Sequence, residues 1–329
     1  MILVSPSLEI LLLHRVHTSS AFPSAHVFPG GNIDEGDGSI PEEGIERHQD
    51  CQAYRVGALR ELFEESGILL AFRDEQRKQW LSVPQKVREE GRRLVHSGTS
   101  SFREWLQQQS SNAVLDTANL IPFTHWITPA GMARRFTTQM YLYFLPRTAS
   151  AFNEVGVQNE RTLAQASDFI PSSDGNVENA AATFASPRRW LDLCRSYEII
   201  LPPPQFLLLH LIAQILDDQG LESKERIQRL KEFVLSTPEN RSLPWSKRSI
   251  SPYVLTLQPR EDGRVVMGLD KPGPEIEELG KALPDGEVER VLLVKFAKDG
   301  PRDLEIQWRR DFTEKGRGHQ QQNGPRGKL

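Results

Sequence analysis

Glu61, Glu64 and Glu65 stand at i, i+3 and i+4 within the run Tyr54 to Gly67. On a helix that spacing sets three carboxylates on one face, a turn or less apart. Val56, Leu59, Leu62 and Phe63 fall on the opposite face, which predicts a buried side and an acidic side. Like charges so placed destabilise a helix unless something cationic stands among them. A divalent metal with hard oxygen ligands meets that need. Arg60 lies one turn from Glu64, so it can pair with a carboxylate and orient it. Gly57 lies one turn before Glu61, where a missing side chain leaves room for metal or phosphate. Upstream, Pro29-Gly30-Gly31 is a turn whose backbone can approach a ligand closely. An E-x-x-E-E run taken alone is more often a solvated helix face. The flanking arginine and glycines move the reading toward metal.

The elements around this helix follow from pattern. Ile2 to Val4 and Ile10 to Leu13 read as strands around a Ser-Pro-Ser turn, and Ala25 to Phe28 as a third strand entering the Pro-Gly-Gly loop. Asp34 to Asp50 is polar and reads as a surface insertion. Gly67 suits the end of the helix. Residues 73 to 110 are rich in Gln, Glu, Arg and Leu, with Trp80, Leu94, Phe102 and Trp105 as apolar anchors, and predict a helical insertion. A strand from about Thr137 to Leu145 stops at Pro146. Residues 148 to 179 read as a long loop. Pro187 to Cys194 starts a short helix, the triple proline presets a second over Gln205 to Leu216, and Lys224 to Leu235 is amphipathic. Tyr253 to Leu257, Val265 to Leu269, Val291 to Phe296 and Leu304 to Trp308 are short apolar or alternating runs. Asp-Gly pairs at 262, 285 and 299 separate them, which predicts a small antiparallel sheet. The tail from Thr313 is rich in Gly, Gln, Lys and Arg and predicts disorder.

Arg60-Glu61-Leu62-Phe63-Glu64-Glu65-Ser66-Gly67-Ile68 resembles the second half of the Nudix hydrolase signature, G-x5-E-x7-R-E-U-x-E-E-x-G-U with U aliphatic, at every defined position. Gly31 resembles the opening glycine. Asp37 stands where the family has its first glutamate. The family separates that glycine from the arginine by 14 positions; here they are 29 apart, so about 15 residues are inserted between Asp37 and Gln52. The inserted box, the run Thr124 to Pro129, Arg134-Arg135-Phe136 and Leu201 to Phe206 resemble the branch that contains a coenzyme A diphosphatase. The resemblance covers roughly residues 1 to 220.

What the resemblance implies is a Nudix α/β/α sandwich with a mixed sheet, elaborated by a helical insertion and a C-terminal β-rich extension. The expected domains are 1–220 for the hydrolase, with the insertion at about 73–118, then an extension over 221–312 that is β-rich from about 253, and a tail over 313–329. The expected reaction is metal-dependent hydrolysis of a nucleoside diphosphate-linked substrate. Mg²⁺ or Mn²⁺ would neutralise the diphosphate and lower the pKa of attacking water. Glu61 and Glu65, one helical turn apart, are the principal expected ligands, with Glu64 additional and the Gly30 carbonyl implied by the family. Arg60 positions a glutamate. Family members often take the general base from outside the box, and Glu178 is the choice here, with Glu154 and Glu160 as rivals. Branch similarity implies coenzyme A or acyl-CoA, cut to 3′,5′-ADP and (acyl-)4′-phosphopantetheine. Two alternatives stay open: the same chemistry on NADH, ADP-ribose or a nucleotide sugar, and a catalytically silent ligand-binding module.

Arg134 and Arg135 read either as contacts to substrate phosphates, which guanidinium geometry suits, or as surface ion pairs. His26 and His125 read as packing or hydrogen-bonding residues. Trp126 and Trp190 read as core in preference to adenine-stacking platforms. A net charge of −4 over 329 residues gives no nucleic-acid signal. Cys51 and Cys194 are too few for a disulfide framework. No apolar run approaches membrane-spanning length, and Met1 to Val4 lacks a basic leader. These features predict an intracellular protein with no nucleic acid and no membrane as partner, and the resemblance implies a small-molecule diphosphate substrate. Gly327-Lys328-Leu329 resembles a peroxisomal signal with glycine in first place, so cytoplasm and peroxisome are both expected addresses and a mitochondrial one stays open. Oligomeric state is not readable.

Overall fold

The computed structural model describes residues 1–17, 23–41, 44–129, 131–132, 134–146, 169–172, 179–239, 243–255, 260–273 and 286–311. The strands of its first half are β1 (Ile2–Val4), β2 (Ile10–Arg15), β3 (His26–Val27), β4 (Ala71–Phe72), β5 (Val114–Leu115), β6 (Ile121–Ile127) and β7 (Thr137–Phe144). They are followed by β8 (Asn179–Ala185), β9 (Ser249–Ile250), β10 (Tyr253–Val254), β11 (Val265–Leu269), β12 (Glu287–Ala297) and β13 (Gly300–Trp308). The helices are α1 (Gln52–Ser66), α2 (Gln85–His96), α3 (Phe102–Gln109), α4 (Pro187–Arg195), α5 (Pro203–Leu216) and α6 (Ser223–Leu235).

A mixed sheet forms the middle layer. β1 runs antiparallel to β2 and parallel to β7, while β6 is antiparallel to β7 and parallel to β9. β8 pairs with β2 from Ile10 to Arg15 and so takes one whole edge of it. The other edge is shared: β1 meets its beginning at Ile10, and β3 meets its end at Leu13 and His14. β1 and β3 therefore follow one another along the same edge, and the turn Pro29-Gly30-Gly31 emerges opposite the start of β1.

Side-chain alternation divides this sheet between two cores. Leu3, Leu11, Leu13, Tyr141 and Tyr143 pack with Leu59, Leu62 and Phe63 of α1. Ile2, Val4, Ile10, Leu12 and Leu142 pack on the other face with Trp190 of α4 and Phe206 to Leu209 of α5. The architecture is α/β with helices on both faces, as expected. Each fully buried Leu or Phe of α1 contributes roughly 1.5–3 kcal/mol, which holds the helix in place even though Cys51 gives it no side-chain cap. Gly67 ends it at φ 73, in the left-handed region, with its N–H donating to the Phe63 carbonyl at 2.8 Å.

The expected helical insertion is α2 and α3, the latter started by a Ser101–Glu104 capping box. Phe102 and Trp105 are buried as expected; Phe102 stacks on Phe63 and Trp105 packs tilted against it. Val95 is buried where Leu94 was expected to anchor the helix, and Leu94 is half-buried. The chain after 220 adds Leu230, Val234, Leu292, Val294 and Leu304 to the same core cluster as α5. β10 to β13 form the expected antiparallel sheet. β9, which no sequence pattern indicated, joins the main sheet. Next to it, Arg248 and Glu287 form a buried ion pair at 3.4 Å, 3% and 0% exposed. The Arg248 carbonyl accepts from the N–H of His125 and the hydroxyl of Thr124. Among the described residues, no helix is long and apolar enough to cross a membrane. Residues 312–329, with the Gly327-Lys328-Leu329 end, lie outside the described residues.

Candidate active site

α1 brings its three carboxylates to the Pro-Gly-Gly turn, and each is held differently. Glu65 accepts from the Gly30 N–H at 2.7 Å and from the Asn179 side-chain amide at 3.2 Å. Glu61 lies against Gly31, where a Cβ would fall 2.5–2.6 Å from its carboxylate. A side chain at 31 would therefore push the Glu61 carboxylate off its present position. Glu64 accepts from Arg60 Nη1 at 2.8 Å and faces His96 Nδ1 at 3.2 Å. Apolar spacing marks only the opposite face of α1 for burial, yet Glu64 and Glu65 are buried too and the Glu61 side chain is 14% exposed. Both faces of α1 are covered, one by apolar core and one by the turn and its partners.

Arg60 is what makes this crowding tolerable. Its guanidinium donates to Asp37 at 2.9 Å, Glu61 at 3.0 Å, Glu64 at 2.8 Å and the Asn32 carbonyl at 2.6 Å. Burial opposes its charge, but the Asp37 hydrogen bond, the Glu61 charge and the Glu64 hydrogen bond outweigh burial and raise its pKa. Asp37 is 2% exposed and held by this pair. The Arg60–Asp37 pair closes at 2.9 Å across the inserted residues, which agrees with the slow growth of loop-closure cost with length. Gly57 does not leave a ligand pocket. A Cβ there would strike Ile33 at 2.7 Å and Asp37 at 2.9 Å, so its missing side chain admits the Asp37 loop.

The amino group of Met1 donates to the Pro29 carbonyl and stands in the field of Glu65 and Glu61. Burial lowers its pKa to about 6 against the pull of those two carboxylates. Among the described residues, no three His, Cys, Asp or Glu side chains converge as a ready-made metal cage. The donor set still fits a hard cation. Mg²⁺ is commonly bound by one or two carboxylates plus substrate phosphates and waters, and Glu61 and Glu65 offer oxygen donors beside the Pro29-Gly30-Gly31 turn. A Gly31→Ala variant is expected to stay folded and to lose activity roughly tenfold or more, because the methyl group displaces Glu61. Circular dichroism beside initial rates checks this; wild-type rates would contradict it.

Asn179 and His96 were not singled out in the sequence. Neither sits in a motif, and only β8 and α2 carry them to the carboxylates. Glu178 precedes Asn179, but Glu178, Glu154 and Glu160 lie outside the described residues. Arg134 stacks on Phe136 with 4.9 Å to the ring centroid, and Arg135 donates to the Thr128 carbonyl at 3.0 Å. Both are exposed in the β6–β7 turn. Register places Leu142 level with Ile2, so Arg135 lies on the order of 20 Å further along the strand axis. The structure does not bring them to the carboxylates. His125 hydrogen-bonds Thr137 and Gln139, and burial lowers its pKa to about 4. His26 stacks on His14, and burial lowers it to about 4 as well. Trp126 and Trp190 are core residues, and all four match their expected packing roles.

Residues 42–212 match the family profile described as the NUDT19 Nudix domain. The putative nudix hydrolase 7 of Caenorhabditis elegans is 29% identical over 210 residues, covering 64% of this chain and 57% of that protein. The acyl-coenzyme A diphosphatase NUDT19 of Gallus gallus is 28% identical over 245 residues, 60% of this chain and 59% of its own. Its counterpart in Xenopus laevis is 26% identical over 242 residues, with 60% and 58% covered. The chain thus spans a little under three-fifths of the length of these curated relatives. A solved NUDIX hydrolase from Alicyclobacillus acidocaldarius aligns with a TM-score of 0.44 at 23% identity, over 64% of this chain and 87% of that one. The profile match takes in α1 with its arginine and three glutamates and extends over more than half of the chain, which therefore belongs to the NUDT19 Nudix domain family.

Proposed function

We propose that this chain hydrolyses the diphosphate linkage of a nucleoside diphosphate derivative, with coenzyme A or acyl-CoA as substrate and 3′,5′-ADP and (acyl-)4′-phosphopantetheine as products. The observation that carries the reaction class is the placement of Glu61 and Glu65 against Pro29-Gly30-Gly31. The names of the chicken and frog relatives support the substrate. In this reading Glu61, Glu65, Glu64 and the Gly30 carbonyl hold Mg²⁺ or Mn²⁺. The metal supplies charge neutralisation for the diphosphate and a more acidic water. Arg60 fixes the rotamers of Glu61 and Glu64. The Gly30 N–H and Asn179 fix Glu65. Glu178, next to Asn179 in the chain, is our candidate for the base that removes the proton from water. Arg134 and Arg135, at the far end of β7, would meet only a part of the substrate remote from the scissile linkage.

The test is a substrate panel of coenzyme A, acetyl-CoA, NADH and ADP-ribose, each with Mg²⁺, Mn²⁺ or chelator. The expected result is metal-dependent release of 3′,5′-ADP from the two CoA compounds and none with chelator. Turnover of NADH or ADP-ribose alone would keep the chemistry and remove the substrate. Folded protein that hydrolyses none of the four would favour a silent binding module.

A further inference from the structure

We infer that His96, the last residue of α2, is a positioning residue of the metal site: from the helical insertion it holds one carboxylate oxygen of Glu64 while Arg60 holds the other. This rests on the reading above, in which Glu64 is a metal ligand. Glu64 has a different partner on each oxygen. Its Oε1 accepts from Arg60 Nη1 at 2.8 Å, and its Oε2 lies 3.2 Å from His96 Nδ1. A carboxylate only accepts hydrogen bonds, so this contact requires the proton on Nδ1. A carboxylate offers about four lone-pair sites, so two donors leave electron pairs for a cation.

Arg60 and His96 do different work on this group. Arg60 belongs to the same helix, one turn before Glu64, and its Nη1 also serves Glu61 at 3.0 Å. It ties the two glutamates to each other and moves with them. His96 comes from another element, so its contact fixes Glu64 relative to the rest of the fold. The terminal torsion of a glutamate is broad. One donor on one oxygen lets the carboxylate pivot about that bond, and a second donor on the other oxygen sets its plane. α2 holds the same residue a second time. Arg92, one turn before His96, donates through Nε to the Glu64 main-chain carbonyl at 2.9 Å. Packing seats the insertion for this task. Val95 is buried in the core cluster shared with α1. A Cβ at Gly91 would fall 2.2–2.6 Å from Trp105, so α2 lies directly on α3. Trp105 in turn packs on Phe63, the neighbour of Glu64 in the chain, with ring centroids 4.5 Å apart. The rival reading is a solvated histidine at a helix end, where the last turn favours a cation. The His96 side chain is 43% exposed, so its pair with Glu64 contributes little to stability. What it supplies is direction at the carboxylate.

The test reads the metal site before any turnover. Binding of Mn²⁺ alone to the full chain is measured by electron paramagnetic resonance for wild type, His96→Ala and His96→Asn, beside thermal melts. The amide nitrogen of an asparagine stands close to the place of Nδ1 and restores a donor there. The expected result is Mn²⁺ affinity about tenfold or more weaker in His96→Ala, recovered to within about threefold of wild type in His96→Asn, as for loss and return of a ligand's hydrogen-bond partner. Melting temperatures should stay level across the three proteins. Wild-type affinity in His96→Ala overturns the role of His96. An equal loss in both variants overturns it too, because a donor at Nδ1 is then not what the residue supplies. A wild-type chain that binds no Mn²⁺ removes the metal reading and this role with it. Rates follow on whichever compound of the panel is hydrolysed, with kcat/KM expected to fall in His96→Ala and to recover in His96→Asn. The expected affinities without turnover of any of the four compounds remove the substrate reading and leave the role of His96 standing.

Discussion

Replacing Glu65 with Gln is expected to lower kcat on the order of 10³-fold, about 4 kcal/mol in the barrier. The substitution keeps size and shape and removes one charge. Glu65 is the carboxylate most firmly tied to the Pro-Gly-Gly turn, through the Gly30 N–H, and to β8, through Asn179. A glutamine can still accept one of those bonds, but its NH₂ group turns a donor toward the other. It also lacks the charge that a metal requires. Stability should not fall, since one of three crowded carboxylates becomes neutral. Rates with Mg²⁺ and a thermal melt decide this together. A variant within tenfold of wild type would remove Glu65 from the metal site. A variant that melts well below wild type would instead make Glu65 a structural residue.

Arg60→Ala is expected to unfold much of its advantage: about 3–5 kcal/mol of stability, the cost of leaving buried charges without their partner. Asp37 and Glu64 would face each other in a buried site with no cation between them. Arg60→Lys should recover part of this loss. A lysine ammonium restores charge but cannot reach Asp37, Glu61, Glu64 and the Asn32 carbonyl together, because it lacks the planar fork. Urea unfolding of both variants measures the difference. If Arg60→Ala lies within 1 kcal/mol of wild type, water fills the site and the cluster is not held by this ion pair. The comparison also separates folding from catalysis, since the lysine variant should fold and turn over slowly.

The helix and its chemistry were legible because they are local. Arg60 to Gly67 carries its spacing, its cationic partner and its stop signal within eight residues, and helix geometry converts spacing directly into a shared face. The strands bracketed by turn residues were legible for the same reason, including the β12–β13 hairpin around Asp299-Gly300. β8 was not. Asn179 to Ala185 is rich in alanine, which has weak strand preference, and what makes it a strand is pairing along the whole edge of β2. β9 is two residues long, too short for any period to show.

The sequence by itself determined the glutamate-bearing helix and the cationic residue its carboxylates need, and the family resemblance of that helix implied the mixed α/β layering. Only the tertiary structure decided that the acidic face is buried, that Gly57 admits the Asp37 loop, and that Asn179 and His96 reach the carboxylates from distant segments. It also decided that Arg88 and Arg92 are buried against the end of that helix. The physical reason is the range of the interactions. Spacing along a helix is fixed by 3.6 residues per turn. Which side chain meets which across an insertion, a strand edge or a cavity is fixed by packing of segments far apart in the chain, and no local period encodes it.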